Sequence, residues 1–374
     1  MKKYIVSLAA VLTLASLSAC KQKEKETGPI LKDFTMHHDD EFGGAYIDIS
    51  IDGFNSLGFK FGDSVDFKFS NGVTYSDIGY YSGYYVPAGQ ELLVGYPGYD
   101  YIKFCINYGD DLYVDNGFDL STTVTVTVHE SAKYLTIEET LSISYSDDIT
   151  KYTSEEQFAN FREIKVGRMK EGLIYRGASP IDNRRKRAST VDKLLRENNI
   201  QYVVDLADTR ETVDGLYAKE DFNSPYFKEL DEDGCVATLG MAAAYKKEDF
   251  SNKLKNMCLY MLENDGPYYI HCLEGKDRTG YVCMVLGALC GATYNELVDD
   301  YFITYQNYYG IEKGTDKYEA IKEIHIDEMI RYVFGFNEKT KLLGATYHTS
   351  ATNYLLSIGL EQNQLDSLQD KLSN

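Results

Sequence analysis

The sequence His271-Cys272-Leu273-Glu274-Gly275-Lys276-Asp277-Arg278-Thr279-Gly280 stands at the centre of the fold that we predict. It follows the apolar run Tyr268–Ile270, which predicts a short buried strand, and it runs into the apolar segment Arg278–Leu289, which predicts a helix. A tight loop at a helix N-terminus directs successive backbone N–H groups into one concavity. Helical and strand patterns alternate from about residue 150 onward, so we predict an α/β domain around an anion-binding loop.

Three side chains of this loop suit phosphate chemistry. Cys272 and Arg278 enclose five residues. The loop amides and the Arg278 guanidinium would bind a dianionic phosphate, and the same positive field favours the thiolate form of Cys272. Thr279 can donate its hydroxyl to the sulfur. The residues expected to bind phosphate are Leu273, Glu274, Gly275, Lys276, Asp277 and Arg278.

The loop resembles the signature H-C-x5-R-[S/T] of protein tyrosine phosphatases, in the bacterial branch with Gly-Lys-Asp-Arg-Thr-Gly. Further matching motifs are Asn160–Glu163, Gly172–Gly177, Val203–Leu206 with Glu211, and Tyr354–Leu360. The resemblance covers about residues 155 to 372. It implies a central, mostly parallel sheet flanked by helices, and hydrolysis of phosphate monoesters through a cysteinyl-phosphate, without a cofactor or a metal. Ala207 and Gly177 depart from the family pattern, which often has Arg and Ser at these positions.

The resemblance leaves the general acid open. Related enzymes with Lys-Asp-Arg are thought to use the loop aspartate, which is Asp277 here. The conventional alternative is an aspartate on an upstream loop, where Asp231 and Asp233 fall, and Glu274 is a further candidate. We expect His271 to orient the loop rather than to transfer protons.

Cations near the motif bear on the substrate. Arg184–Arg187 is the one dense basic run of the chain and follows Arg176 closely. We predict Arg176 and Arg187 as substrate contacts, with Lys276 at the mouth of the loop. Two cationic points would suit inositol-type polyphosphates alongside phosphorylated proteins or peptides.

Two other functional classes remain as alternatives. A non-catalytic module could hold phosphorylated ligands, and a sulfur-transferring enzyme could also begin its loop with Cys272. The intact set of Cys272, Asp277, Arg278 and Thr279 favours a phosphatase over both.

The N-terminus predicts an exported lipoprotein. Lys2 and Lys3 precede the short apolar run Ile5–Leu17, which is too short to remain as a membrane span. Leu17-Ser18-Ala19-Cys20 resembles a bacterial lipobox, which implies cleavage before Cys20 and lipid on its thiol. We therefore expect a signal peptide at residues 1–19, a lipidated tether at 20–29, and an extracytoplasmic protein anchored to the membrane.

Residues 30–148 predict a separate all-β domain. Thr123–Val128 alternates threonine and valine, and Asn71-Gly72 between two alternating runs predicts a hairpin. Ala45–Ile51 predicts another strand. Short strands with frequent turns suggest a sandwich-like domain, followed by the catalytic domain at 150–374.

Charge and cysteine content exclude several classes. The net charge of -20 argues against nucleic-acid binding, which needs a basic surface. The cysteines beyond Cys20 show no C-x-x-C pair, so we predict neither a disulfide scaffold nor a zinc site. Cys283 and Cys290 lie on one face of the predicted helix and should pack in the core.

Overall fold

The computed structural model describes residues 28–374. The predicted signal peptide, the lipidated Cys20 and the tether up to Thr27 lie outside the described residues. Within residues 28–374, no helix is long and apolar enough to cross a membrane. The described chain builds two sheets, a closed barrel followed by an open five-stranded sheet.

The barrel contains seven strands and three short helices. The strands are β1 (Ile30–His38), β2 (Ala45–Ile47), β3 (Ser64–Phe69), β4 (Thr74–Tyr81), β5 (Glu91–Val94), β6 (Ile102–Ile106) and β7 (Thr123–Glu130). The helices are α1 (Ile51–Ser56), α2 (Leu112–Asp115) and α3 (Leu135–Leu141). The strands close in the order β1-β2-β6-β5-β4-β3-β7.

The predicted all-β region is therefore present, but it is a barrel and not a sandwich. The first half of β1 pairs with β7 and its second half with β2, and β4 likewise pairs first with β3 and then with β5. Asp33 in β1 and Asp77 in β4 have positive φ angles of 55° and 64° beside register shifts. Such bulges bend a strand, and bent strands of this kind can pass from one sheet into the next.

The predictions inside the barrel had mixed outcomes. The Asn71-Gly72 turn joins β3 to β4 as predicted, with Gly72 N–H donating to Phe69 O at 3.0 Å. Val124 and Val126 of β7 are buried in the barrel core. The strand predicted over Ala45–Ile51 ends at Ile47, because the Ser50 hydroxyl accepts the Gly53 N–H and begins α1 there.

The second sheet confirms the predicted α/β fold. Its strands are β8 (Arg162–Glu163), β9 (Ile174–Gly177), β10 (Tyr202–Asp205), β11 (Val236–Thr238) and β12 (Tyr268–His271). The order is β11-β10-β12-β9-β8, and only β8 runs antiparallel to its neighbour. The strand that leads into the signature loop, β12, thus occupies the centre of the sheet.

Helices cover both faces of this sheet. They are α4 (Glu155–Ala159), α5 (Ala188–Glu197), α6 (Arg210–Tyr217), α7 (Pro225–Glu232), α8 (Glu248–Glu263), α9 (Asp277–Leu289), α10 (Tyr294–Tyr309), α11 (Asp316–Ile321), α12 (Glu328–Phe334), α13 (Tyr347–Ser357) and α14 (Gln362–Leu372). Helices α5, α6 and α7 pack with Val203 and Tyr269 on one face, whereas α8 and α9 pack with Val204 and Ile270 on the other. This alternation along a strand is what a sheet buried on both faces requires.

Helix α9 is buried nearly all round, because it lies in the middle of the larger helical layer. Cys283 and Cys290 are both buried in this core, as predicted. Burial raises the pKa of Cys283 to about 12, so its thiol stays protonated and inert.

Candidate active site

The signature loop leaves the carboxyl end of the central strand and enters the first turn of α9. His271 ends β12, and α9 begins at Asp277. Gly275 lies between them with φ 68°, and a Cβ on it would stand 2.2 Å from the Gly177 carbonyl oxygen. Only glycine therefore fits at this position of the loop.

Donors outside the loop hold its carbonyl groups. The Arg176 guanidinium donates to Gly275 O at 2.9 Å, and the Tyr308 hydroxyl donates to Glu274 O at 2.7 Å. The Asn160 amide donates to Glu274 O at 3.2 Å. The N–H and C=O of a peptide unit point in opposite directions, so carbonyls held outward leave the neighbouring N–H groups facing inward. The loop is thereby shaped as an anion-binding bowl.

A buried charge cluster supports this bowl from below. Asp300 of α10 lies 2.6 Å from Nη1 of Arg176 and 3.3 Å from Nε of Arg162. Burial raises the pKa of Asp300, but the two guanidinium groups outweigh it and hold that pKa below its usual range. Asp300 thus balances two buried arginines. No sequence signal connected this residue with the loop.

The position of Arg176 contradicts its predicted role as a substrate contact. Its side chain is fully buried under the loop, where it holds Gly275 and Asp300. A phosphate bound by loop N–H groups that face away from these carbonyls would lie on the other side of the loop backbone. Arg176 is therefore a positioning residue.

The predicted substrate role of Arg187 is also wrong. Its side chain is only 1% exposed. It donates to Phe158 O at 2.9 Å, Asp147 Oδ1 at 2.6 Å and Ser146 O at 3.0 Å. These bonds engage all three nitrogens of the guanidinium inside the fold, so a second phosphate cannot reach it.

The loop side chains proposed for chemistry lie at the bowl. Cys272 is 4% exposed at its base. Nη1 of the half-buried Arg278 donates to Met241 O at 2.8 Å, which fixes the arginine against the loop after β11. The Thr279 hydroxyl is fully buried and finds no hydrogen-bond partner within residues 28–374. The predicted bond from Thr279 to the Cys272 sulfur is therefore not formed in this structure.

The candidate acids are widely separated. Asp277 begins α9 beside the bowl with a side chain 38% exposed, and the Tyr301 hydroxyl lies 3.5 Å from its Oδ1. Asp231 instead accepts two bonds from Arg210 Nη1, at 2.7 and 2.8 Å, and one from Tyr217.

The topology places Asp231 and Asp233 away from the bowl. Both precede β11, whereas Cys272 follows β12, and both strands run parallel to β10. The carbonyl of Cys235, which follows both aspartates, accepts the Val203 N–H at the amino edge of the sheet, whereas Cys272 lies at the carboxyl edge. The three residues of β11 alone separate these edges by about 10 Å.

His271 lies behind the loop among buried carboxyl groups. Its Nδ1 is 3.3 Å from Cys272 O and 3.9 Å from Asp205 Oδ1. Burial lowers the pKa of His271 to about 4, and burial raises the pKa of Asp208 to about 7. A neutral, enclosed imidazole supports the predicted orienting role over proton transfer.

The Glu274 side chain is held by residues that the sequence did not single out for this role. The Tyr145 hydroxyl donates to its Oε1, and Nη2 of Arg185 lies 3.2 Å from the same oxygen. Tyr145 stacks on Tyr308 with ring centroids 4.8 Å apart. On the other flank, Tyr108 of the barrel stacks on Tyr245 at 4.8 Å. Residues before the catalytic domain thus contribute to the surroundings of the bowl.

Comparisons with known proteins identify the family of the second part of the chain. The family model described as "Tyrosine phosphatase family" matches residues 154–374. No curated protein matches the chain. Among solved structures, the core catalytic domain of PP-IP phosphatase SIW14 from S. cerevisiae, in complex with citrate, is 20% identical over 47% of this chain and 91% of its own, with a TM-score of 0.27.

Proposed function

Because the chain belongs to the tyrosine phosphatase family, and is thereby a cysteine-dependent phosphomonoester hydrolase, we propose that Cys272 is its nucleophile. The observation that carries the proposal is the outward anchoring of the Glu274 and Gly275 carbonyls above a nearly buried Cys272. Amides that face inward and the Arg278 guanidinium stabilise the equatorial oxygens, on which charge is spread in the transition state.

The first step forms a phosphorus–sulfur bond. The Cys272 thiolate attacks phosphorus in line with the ester oxygen, and the phosphorus–oxygen bond breaks. Asp277 gives its proton to the leaving oxygen, which departs as an alcohol or a phenol. The support for Asp277 is its position at the first turn of α9 with a partly exposed side chain.

The second step returns the enzyme to its starting state. Water attacks the phosphorus of the cysteinyl-phosphate, and the Asp277 carboxylate takes the proton of that water. The phosphorus–sulfur bond breaks, inorganic phosphate leaves, and the thiolate is restored. We propose that the buried Thr279 hydroxyl donates to the sulfur as it leaves.

Replacing Cys272 tests the hydrolytic step separately from the binding of phosphate. Cys272→Ser should abolish hydrolysis of p-nitrophenyl phosphate, because the serine hydroxyl stays protonated, while calorimetry still detects binding of inorganic phosphate. Cys235→Ser, at a half-buried cysteine on the opposite edge of the sheet, is the control and should remain active. Turnover in Cys272→Ser would reject the mechanism. An unsubstituted protein that binds phosphate without turnover would support the non-catalytic alternative.

For the substrate class we propose aryl phosphates such as phosphotyrosine. Tyr108 of the barrel stacks on Tyr245, which follows the Met241 segment that Arg278 contacts, and such rings suit an aromatic leaving group. Arg187 is buried and therefore cannot bind a second phosphate group of a substrate. We expect kcat/KM for a phosphotyrosine peptide to exceed that for an inositol polyphosphate by about tenfold or more. The reverse order would restore the inositol-type substrate.

We also propose that the mature chain is an extracytoplasmic lipoprotein. The support is the sequence Leu17-Ser18-Ala19-Cys20 after a short apolar run. Two acyl chains suffice for stable anchoring, whereas one is marginal. The barrel would then stand between the membrane and the catalytic domain.

A further inference from the structure

Glu274 places a carboxylate inside a loop that is built to bind a dianion. A unit charge near a bound phosphate opposes binding, because like charges repel strongly where water is partly excluded. The Glu274 side chain is only 17% exposed, so solvent screens it poorly. Tight binding of phosphate therefore requires that the Glu274 carboxylate be held away from the bowl.

Two side chains hold the Glu274 carboxylate. The Tyr145 hydroxyl and Arg185 Nη2 both meet Oε1, the arginine at 3.2 Å. Burial and the Glu274 charge raise the pKa of Tyr145 well above its usual value, so this phenol remains a donor at any working pH. The Arg185 guanidinium also lies 5.3 Å from the centre of the Tyr145 ring, so the three groups form one contact.

This contact is itself supported from behind. The Tyr145 ring stacks on Tyr308, whose hydroxyl holds the Glu274 carbonyl. Asp147 pairs with Arg187 at 2.6 Å and approaches Arg185 at 3.7 Å. Tyr145 and Asp147 precede residue 154, where the match to the family begins.

We propose that Tyr145 and Arg185 form a clamp on Glu274 that keeps this carboxylate away from the bound phosphate. Through the clamp, the segment that joins the barrel to the catalytic domain sets the affinity of the bowl for phosphate. Tyr145 and Arg185 are positioning residues, since they act through Glu274. This inference rests on the proposed function of the loop.

A double-mutant cycle tests the clamp. Tyr145→Phe keeps the stacked ring and removes the hydroxyl, and Arg185→Gln removes the charge. Each should raise the dissociation constant of inorganic phosphate about tenfold, because the released carboxylate faces the dianion. Adding Glu274→Gln to either variant should restore the affinity to within about twofold of Glu274→Gln alone, because no charge is then left to restrain.

Controls with the same chemistry lie away from the loop. Tyr217→Phe removes a tyrosine bond to Asp231, and Arg196→Gln removes an exposed pair with Glu229 at 3.2 Å. Both should leave phosphate affinity unchanged. Thermal denaturation of every variant checks the fold.

Rescue by Glu274→Gln distinguishes electrostatic positioning from structural support. A structural role for Tyr145 or Arg185 would not be repaired by removing a charge elsewhere, so losses that persist in the double variants would overturn the proposal. A tenfold loss in Glu274→Gln alone would also overturn it. Phosphate binding is measured by calorimetry, so the outcome does not depend on turnover. Failure of the proposed function would appear separately, as an unsubstituted protein without hydrolysis.

Discussion

At the scale of single residues, the proposed mechanism gives Asp277 two opposite roles in proton transfer. It would donate the proton in the first step and accept one in the second. Its side chain is partly exposed at the first turn of α9, with 3.8 Å between Oδ2 and Lys276 Nζ, and is free to exchange protons. Asp231 has no such freedom, because Arg210 and Tyr217 hold its carboxylate.

The leaving group reveals which acid acts. Asp277→Asn should lower kcat for alkyl and phenyl phosphates by about 100-fold or more, because a poor leaving group needs a proton. Esters of very acidic phenols should lose much less. The dependence of kcat on leaving-group acidity measures this. Asp231→Asn and Asp233→Asn are the matched controls. A steeper dependence of kcat on leaving-group acidity in either of them would assign the general acid to that aspartate instead of Asp277.

The sequence predicted the strand, loop and helix of the signature because the three are contiguous. The predicted substrate contacts of Arg176 and Arg187 were not found, because the neighbouring residues in the sequence do not indicate whether a basic side chain faces a ligand or a buried carboxylate. Asp300 and Asp147, which receive these two arginines, lie 124 and 40 residues away along the chain. Burial of a charge depends on such distant partners.

At the scale of elements, the bowl depends on helix α10 and strand β9 as much as on its own sequence. Gly177, one of the departures from the family pattern, ends β9 beside the loop. A Cβ at Gly177 would stand 2.5 Å from the Tyr269 hydroxyl and 3.0 Å from Ala159 O. The hydroxyl in turn donates to Ala178 O at 2.7 Å. Tyr269 on β12 therefore explains why serine is replaced by glycine here.

Breaking the charge cluster under the loop should destabilise the domain. Asp300→Asn leaves Arg162 and Arg176 buried without a counter-charge, so we expect the free energy of unfolding to fall by about 3 kcal/mol. Phosphate affinity should fall with it, because Arg176 would no longer be held under Gly275. Urea denaturation and calorimetry measure the two effects.

The neighbouring residue supplies the control. Asp299 forms an exposed pair with Lys313 at 2.6 Å, and Asp299→Asn should cost less than about 1 kcal/mol. Equal losses in both variants would show that α10 tolerates neither change, and that the cluster has no special role.

At the scale of the whole molecule, the sequence predicted two structural parts and the class of each. The alternation of predicted strands and helices indicated the parallel sheet, because the hydrophobic pattern of each element is visible within a short stretch of sequence. Closure of the barrel was not predictable in the same way. Closure depends on β1 and β4, because each of these strands pairs with one partner along its first part and with another along its second part. It also depends on a parallel pairing of β4 with β5 through Tyr80 and Leu93. These long-range pairings leave no local pattern.

The anchor is the prediction that concerns the whole chain. The mature protein should begin at Cys20 and carry lipid on that thiol, and it should partition into the detergent phase. Cys20→Ala should abolish this partitioning while leaving hydrolysis of p-nitrophenyl phosphate intact, since the tether precedes both sheets. Mass spectrometry of the N-terminal peptide decides the matter, and an unmodified Cys20 would refute the anchor.

Closure of the barrel has a further consequence for proteins crowded on a surface. An edge strand offers unpaired N–H and C=O groups to other chains, and it is a common starting point for aggregation. In residues 28–374 each barrel strand has two neighbours in the ring, and the stretches paired on one side only are the separate halves of β1 and β4, none longer than six residues. The open sheet ends in β11 and β8, of three and two residues. Edges this short give a neighbouring chain little to extend. The fold therefore limits intermolecular strand addition by its topology.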